Sequence, residues 1–410
     1  MSTTIGLPAK TRYFIDLEEH HGAHNYHPIP VVLSRGQGVE VWDVEGKRYF
    51  DFLSGYSAVN QGHCHPRIIR SLQEQAVQLT LTSRAFHNDL LGEYEKFMTD
   101  LFGFAKLLPM NTGVEAVETA IKLARRWGYA VKGIPNDQAR IVVCAHNFHG
   151  RTSTVISFST DPSSYERFGP KMPGFDVIPY NDLPALEQAL RNPNVAGFLV
   201  EPIQGEAGVV VPDDGYLSRA KQYCADARVL FIADEIQTGL GRTGKMLACD
   251  HDQVRPDILI LGKALSGGTL PVSAVLADDE VMMQIHPGEH GSTYGGNPLA
   301  CRVAIESMKV LIEEKMIENA EAMGKRLRDG IAALNSPHIT LVRGKGLLNA
   351  IVIRHADPEA AWKLCLDMKD LGLLAKPTHG DKIRLAPPLL ITAEQVDEAV
   401  GILSKALERL

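Results

Sequence analysis

The chain has 410 residues, 45% hydrophobic and 22% charged, a globular composition long enough for two or three domains of about 150 residues each. Its 42 basic and 49 acidic residues leave a net charge of −7, which argues against a general nucleic-acid binder while permitting a local basic pocket for a small anion. Six cysteines, at 64, 144, 224, 249, 301 and 365, contain no CxxC pair and no disulfide framework, and no apolar run reaches the roughly 18 residues a membrane span needs.

Met1–Lys10 lacks the basic and apolar regions of a signal peptide, and Asp16, Glu18 and Glu19 come early for a transit peptide. The expectation is a cytoplasmic protein, ahead of one in the mitochondrial matrix. His20, His21, His24 and His27, and later His63 and His65, show no ligand spacing such as HExxH, so structural or surface roles are expected and no metal. Residues 38–53 carry two alternating apolar runs around Glu45-Gly46-Lys47, the pattern of a β-hairpin.

Asn111-Thr112-Gly113-Val114 is a small polar turn leading into a helix with Val117, Ala120, Ile121 and Ala124 on one face. Free N–H groups and the helix dipole suit such a turn to a phosphate. Taken alone, plain N-capping by Asn111 or Thr112 is the simpler reading. From about 105 to 280, short apolar runs alternate with helical stretches: Ile141–Cys144, Val195–Val200, Val229–Ala233, Ile258–Leu261 and Val272–Leu276. Runs apolar on both faces and spaced by helices predict a largely parallel sheet covered on both sides. Phe148 and Arg151 come after the first run; one can stack on a flat ring and the other can fork onto a carboxylate, or they are a core aromatic and a surface charge.

Two runs end in charge. Val229–Ala233 leads into Asp234, and Ile258–Leu261 leads through Gly262 into Lys263. Open α/β sheets place ligands at these carboxyl ends. A lysine there is costly to bury as a cation, and once neutral it can form a Schiff base with an aldehyde; a solvent-facing lysine is the equal alternative. Asp234 precedes Lys263 by 29 residues, about one βαβ unit, so both can face one crevice. Pyridoxal-phosphate chemistry needs this pair, an amine for the aldehyde and a carboxylate that keeps the pyridine nitrogen protonated. A helix cap or metal ligand is the competing role for Asp234. Gly239-Leu240-Gly241-Arg242-Thr243-Gly244 fits the dinucleotide pattern GxGxxG, but Glu235 to Thr238 intervene after the strand and no good helix start comes next, so a glycine-rich loop is the preferred reading.

After about 300 a long helical pattern covers roughly 299–334. Strand-like pieces Leu347–Ile353 and Lys382–Leu385 come next, with a helix at about 358–371 between them. A last helix starts at Thr392 with Gln395 placed for a capping box.

Taken together, MNTGVEAVETAIKLAR, HGRT, EPIQGEAGV, ADEIQTGLGRTGK, LGKALSGG, GSTYGGNPLA and RLAPPL, in that order, resemble the class III, fold-type I pyridoxal-phosphate aminotransferases over nearly the whole chain. GAHNYHPIPVVL, YSAVNQGHCHP, TSRAFHND, RGKGLLNAIVI and LLAKPTHGD look like the branch of that family that acts on ornithine. The resemblance implies an α/β fold: an N-terminal segment with the hairpin at 1–57, a large cofactor-binding domain with a mostly parallel seven-stranded sheet at 58–317, and a smaller α+β domain at 318–410. It implies transfer of the δ-amino group of L-ornithine to 2-oxoglutarate, giving glutamate 5-semialdehyde and glutamate. Lys263 matches the Schiff-base lysine, Asp234 the pyridinium partner, Gln237 the residue near the phenolic oxygen and Phe148 the stacking ring. Gly113 and Val114 match the backbone phosphate donors. Ser292 and Thr293 match phosphate contacts supplied by a neighbouring subunit, which implies a homodimer with shared sites, or a higher oligomer, and no nucleic-acid or membrane partner. Substrate roles fall on Tyr26, Tyr56, Arg151, Glu206 and Arg384. Glu206 would mask Arg384 when ornithine binds and release it for 2-oxoglutarate, while Arg151 and Tyr26 hold the far carboxylate. Acetylornithine and 4-aminobutyrate aminotransferases, an amino-group mutase and a non-catalytic scaffold of the same fold remain the alternatives.

Overall fold

The computed structural model describes residues 6–410. The part of the Met1–Lys10 reading that falls on residues 1–5 lies outside them.

The hairpin forms as expected. Strands β1 (Leu33–Gln37), β2 (Glu40–Asp43) and β3 (Arg48–Asp51) pair antiparallel in sequence order. The Asp43 carboxylate accepts the backbone N–H groups of Glu45 (3.0 Å) and Lys47 (2.9 Å) across the turn, and Gly46 takes φ +90°, which a side chain would resist.

The central sheet has seven strands: β4 (Lys106–Met110), β5 (Arg140–Cys144), β6 (Phe175–Ile178), β7 (Val195–Val200), β8 (Leu230–Asp234), β9 (Ile258–Leu261) and β10 (Ser273–Ala277). Their order is β4-β10-β9-β8-β7-β5-β6. All neighbours are parallel except β10, which runs against both β4 and β9. The five apolar runs became β5, β7, β8, β9 and β10. β4 and β6 lie at the sheet edges and gave no such run, because Pro109 interrupts one and the other is half solvent-facing.

Alternate residues of each strand feed opposite cores. Ile141, Val143, Leu199 and Ile232 pack under the helix Gly113–Trp127, which buries Val117, Ala120, Ile121 and Ala124. Val142, Phe198 and Phe231 pack against the helices Leu183–Leu190 and Tyr216–Asp226 on the other face. This double cover is why the strands read as unbroken apolar stretches. Parallel pairing also brings the carboxyl ends of β5, β7, β8 and β9 to one edge.

The helical pattern at 299–334 is two helices rather than one, Pro298–Glu313 and Met316–Ala333. Lys315 between them adopts φ +52°. The intervening Glu314-Lys315 is good helix material, so packing, not propensity, makes the break. Beyond it, β11 (Ile339–Lys345), β12 (Leu348–Ile353), β13 (Leu373–Leu374), β14 (Lys376–Thr378) and β15 (Lys382–Leu385) appear, of which β12 and β15 match the two expected pieces. β11, β12, β15 and β14 form an antiparallel sheet, whereas β13 pairs in parallel with β3 and ties the N-terminal hairpin to the C-terminal unit. Thr392 caps the last helix in a capping box with Gln395.

The glycine-rich loop at 239–244 holds a fully buried Arg242. Its guanidinium donates to Asn60 Oδ1 (2.6 and 3.2 Å), the Leu347 carbonyl (3.0 Å) and the Pro387 carbonyl (2.6 Å). One side chain thus joins Asn60, the loop after β8 and two segments of the C-terminal unit. Arg242→Leu leaves three buried acceptors without a donor, and at about 1–3 kcal/mol each the variant is expected to lose about 3 kcal/mol or more of stability. The urea midpoint checks this; an unchanged midpoint contradicts it.

Candidate active site

The cavity lies at the carboxyl edge of β5, β7, β8 and β9, has a volume of about 190 Å³, and is lined by Gly113, Val114, Phe148, His149, Asp234, Gln237 and Lys263 among others. Six sequence candidates therefore meet in one place.

Asp234 ends β8 and is 4% exposed. Its Oδ2 accepts His149 Nδ1–H at 2.6 Å, and its Oδ1 accepts the Ile236 N–H at 3.1 Å. Lys263 comes after β9 through Gly262 and takes φ +46°, a left-handed conformation that is strained for a side chain and common at functional positions. Burial lowers its amine pKa to about 8, with Glu206 opposing and Arg384 assisting. The amine is therefore poised to lose its proton near neutrality, which a nucleophile requires.

The turn before the helix Gly113–Trp127 is capped by Thr112 in a capping box with Glu115. Asn111 does not cap; its amide donates to Ser292 Oγ at 2.8 Å and Glu115 Oε1 at 3.2 Å. Gly113 and Val114 occupy the first helical positions, whose N–H groups have no intrahelical acceptor. A Cβ on Gly113 would stand 3.1 Å from Ile236, and one on Gly150, at φ +121°, 2.4 Å from Val114, so both glycines keep the backbone close to the cavity.

Beside the cavity, Glu206 Oε1 lies 2.6 Å from Arg384 Nη1 on β15. Burial pushes the Glu206 pKa up, but Arg384 and Lys263 together hold it below the usual carboxylate range. Gln237 Nε2 donates to the same Glu206 oxygen at 3.2 Å, while Gln237 Oε1 is buried with no partner. Ser54, Gly55, Tyr56 and Ser57 form a single left-handed turn, with φ from +50° to +70°, that sets the Tyr56 ring 4.8 Å from the Arg384 guanidinium. Burial raises the Tyr56 pKa, with Arg384 opposing.

A second cavity of about 240 Å³ shares Phe148 and His149 with the first and reaches Ser164, Glu206 and His379. Arg151 stands at its side, donating to Ser164 Oγ at 2.9 Å and lying 5.5 Å from the Phe148 ring centre. Tyr26 is 73% exposed, with Lys376 Nζ 6.0 Å from its ring centre. Tyr26, Ser292 and Thr293 line neither cavity within the single chain.

Sequence reasoning missed two buried groups, His149 and Glu201. Glu201 directly succeeds the apolar strand β7, the same signal that marked Asp234. It accepts N–H groups from Phe148 (2.8 Å) and Gly205 (3.3 Å), and burial pushes its pKa up to about 7. His149 stands inside HGRT, but a single histidine carries no spacing signal. Among the described residues no group of three His, Cys, Asp or Glu side chains is placed to hold a metal ion, and no helix is long and apolar enough to cross a membrane.

The residues present fit pyridoxal phosphate. A buried carboxylate, a desolvated lysine, an aromatic ring and a helix N-terminus share one cavity, and the Gln237 amide has an unpartnered end. A mostly parallel sheet with this set at its carboxyl edge defines a fold-type I pyridoxal-phosphate transferase. The model of the family Aminotransferase class-III matches residues 21–407. The chain belongs to the class III aminotransferases. It is 63% identical to the mitochondrial ornithine aminotransferase of Rattus norvegicus over 98% of this chain and 91% of that one. Among solved structures, the ornithine aminotransferase of Toxoplasma gondii, described with partial occupancy of PLP at its active site, superposes with a TM-score of 0.96 at 49% identity, covering 97% of this chain and 94% of that one. The acetylornithine aminotransferase of Elizabethkingia anophelis superposes with a TM-score of 0.90 at 57% identity, covering 98% and 99%.

Proposed function

We infer that the chain is an ornithine δ-aminotransferase, which moves the δ-amino group of L-ornithine to 2-oxoglutarate and yields glutamate 5-semialdehyde and L-glutamate. The observation that carries this reading is the ion pair between Glu206 and Arg384 beside Lys263. Two substrates use one pocket in turn and differ in charge. A bare arginine there attracts an α-carboxylate, and so presents an α-amine; a masked one lets a terminal amine approach.

When bound, pyridoxal phosphate supplies an aldehyde that takes up the amine and a ring that accepts the electron pair of a broken C–H bond. Gly113 and Val114 would hold its phosphate with backbone N–H groups. Asp234 would keep its ring nitrogen protonated, Phe148 would pack against the ring, and Gln237 would meet its phenolic oxygen. Lys263 would take the proton from the substrate carbon and return it. Arg151 and Tyr26 hold the α-carboxylate of ornithine at the far end, and Tyr56 sets the reach. For 2-oxoglutarate, Arg384 leaves Glu206 and takes the α-carboxylate while Arg151 takes the distal one. Ser292 and Thr293 serve the phosphate of a second copy, so the working unit is a homodimer; sedimentation of the holoenzyme as a monomer contradicts this.

The donor comparison tests the function. Ornithine is expected to exceed N-acetylornithine and 4-aminobutyrate by at least about tenfold in kcat/KM, the semialdehyde being trapped as its cyclic adduct. Preference for N-acetylornithine moves the chain to the activity named for the Elizabethkingia protein. Six free thiols, five of them buried, suit a reducing compartment, and we place the protein in the cytosol; fractionation against a mitochondrial matrix marker tests it.

A further inference from the structure

When Arg384 leaves Glu206 for 2-oxoglutarate, Glu206 keeps its charge and loses its partner. Its side chain is only 22% exposed, and a largely buried carboxylate without a counter-charge is costly. Gln237 donates to it at 3.2 Å but brings no charge. Lys263 must be unprotonated to take a proton from substrate, so its charge is not available for long.

A second cation comes from β14. Lys376 stands directly opposite Arg384 in the antiparallel β14–β15 pair, and residues opposite one another share a face of the sheet. Thr378, two residues along and so on that face, donates its hydroxyl to the Glu206 carbonyl at 2.9 Å, which turns the face towards Glu206. Burial lowers the Lys376 pKa, Arg384 lowers it further and Glu206 opposes them, so the amine feels both members of the pair. The neighbouring cations Lys369, Lys382 and Arg384 are paired with Asp370, Asp381 and Glu206, whereas Lys376, among the described residues, is in no ion pair. Its ammonium lies 6.0 Å from the centre of the Tyr26 ring.

We propose that Lys376 is a positioning residue for the second substrate: it receives the Glu206 carboxylate when 2-oxoglutarate takes Arg384, so the mask opens without stranding a charge. This rests on the reading of Glu206 as the mask of Arg384. With ornithine bound, Arg384 keeps Glu206. With 2-oxoglutarate bound, two carboxylates meet two cations, and each has its own. Without Lys376 both carboxylates compete for one guanidinium, and like charges side by side are disfavoured. The residue types suit the division. The planar fork of Arg384 matches a substrate carboxylate with two parallel hydrogen bonds, and a lysine on its flexible stem can follow a side chain that moves.

A double-mutant cycle separates this role from direct contact with substrate. The readouts are the apparent Kd and limiting rate of the 2-oxoglutarate half-reaction, measured by rapid mixing with the amino-loaded holoenzyme. Lys376→Met keeps the apolar stem and removes the charge. In the wild-type background it is expected to raise the apparent Kd for 2-oxoglutarate about tenfold, with the limiting rate within about threefold. In the Glu206→Ala background no carboxylate has to be moved, and the same substitution is expected to change that Kd by less than about twofold. Lys376→Arg keeps the charge and is expected to stay within about threefold of wild type. If Glu206→Ala does not fold, Glu206→Gln supplies the neutral background. Equal losses in both backgrounds assign Lys376 to the substrate itself, and no loss in either leaves it without a role; each result overturns the proposal. The donor ratio of Glu206→Ala keeps the two readings apart. A ratio shifted towards glutamate, with no effect of Lys376→Met, sinks Lys376 alone, whereas an unshifted ratio sinks the mask on which it depends.

Discussion

Lys263→Ala is expected to lower kcat by more than about 10⁴-fold while the protein stays folded, because general acid–base work alone is worth about 10²–10⁴-fold and the covalent role is lost with it. The neighbouring groups point the same way. Burial brings the amine to about 8, and the residue holds a left-handed backbone in a cavity wall, a costly arrangement for a side chain that only packs. The stability sign is opposite to that of activity. The folded pKa lies below the ordinary lysine value, so at neutral pH folding carries the cost of desolvating a cation, and that cost fades as pH rises from about 8 towards the unfolded value. The apoprotein of Lys263→Ala is therefore expected to melt at or above the wild-type temperature at pH 7, with the gap closing at higher pH. Multiple turnovers by the variant, or a collapse of its melting temperature, contradict the assignment. Borohydride reduction of the wild type, with peptide mapping afterwards, is expected to label Lys263 alone.

Much of this site was legible because a parallel sheet converts chain order into place. Each of β5, β7, β8 and β9 carries an apolar run towards its carboxyl end, and the residues just past that run stand on the ligand edge however the loops go. Asp234 and Lys263 were found by that rule. Glu201 obeys it equally, but a carboxylate becomes conspicuous only beside a group whose chemistry needs it, and Glu201 has none in the sequence. His149 was not legible, since its partner lies on another strand and only burial gives the contact meaning. The edge strands β4 and β6 escaped for a different reason: Pro109 interrupts the first and the second is half solvent-facing, so neither shows a clear apolar run. The break at Lys315 depends on how two helices pack and leaves no mark in the residues around it. Arg242 inside GxGxxG shows the limit of motif matching, because the glycines serve a buried strut and not a dinucleotide. Tyr26, Ser292 and Thr293 carry roles from the resemblance that one chain alone does not assemble.

The substrate switch gives the second large effect. Glu206→Ala is expected to shift the kcat/KM ratio of L-glutamate to L-ornithine by about a hundredfold or more towards glutamate. Removing Glu206 leaves the buried Arg384 uncompensated, at a cost of up to about 3–5 kcal/mol for a fully buried pair, and a substrate α-carboxylate is the group able to recover it. Arg384 is 5% exposed and its Nε already lacks a partner, so Glu206 is its principal counter-charge. Rapid-mixing measurement of each half-reaction checks this: the ornithine half is expected to slow and the glutamate half to hold or quicken, and an unchanged ratio contradicts the masking role. Glu206→Gln separates charge from shape, since the amide oxygen still accepts a hydrogen bond; its ratio is expected to fall between those of wild type and the alanine variant. The mask itself is insensitive to pH near neutrality. Glu206 is held below the usual carboxylate range, so its pairing with Arg384 is complete above that range and is lost only as pH falls through its lowered folded pKa. The wild-type donor ratio is therefore expected to stay flat between about pH 6 and 9, while kcat rises over the same interval as the Lys263 amine loses its proton near pH 8. A donor ratio that tracks kcat across that interval ties selectivity to the lysine and removes Glu206 from the switch.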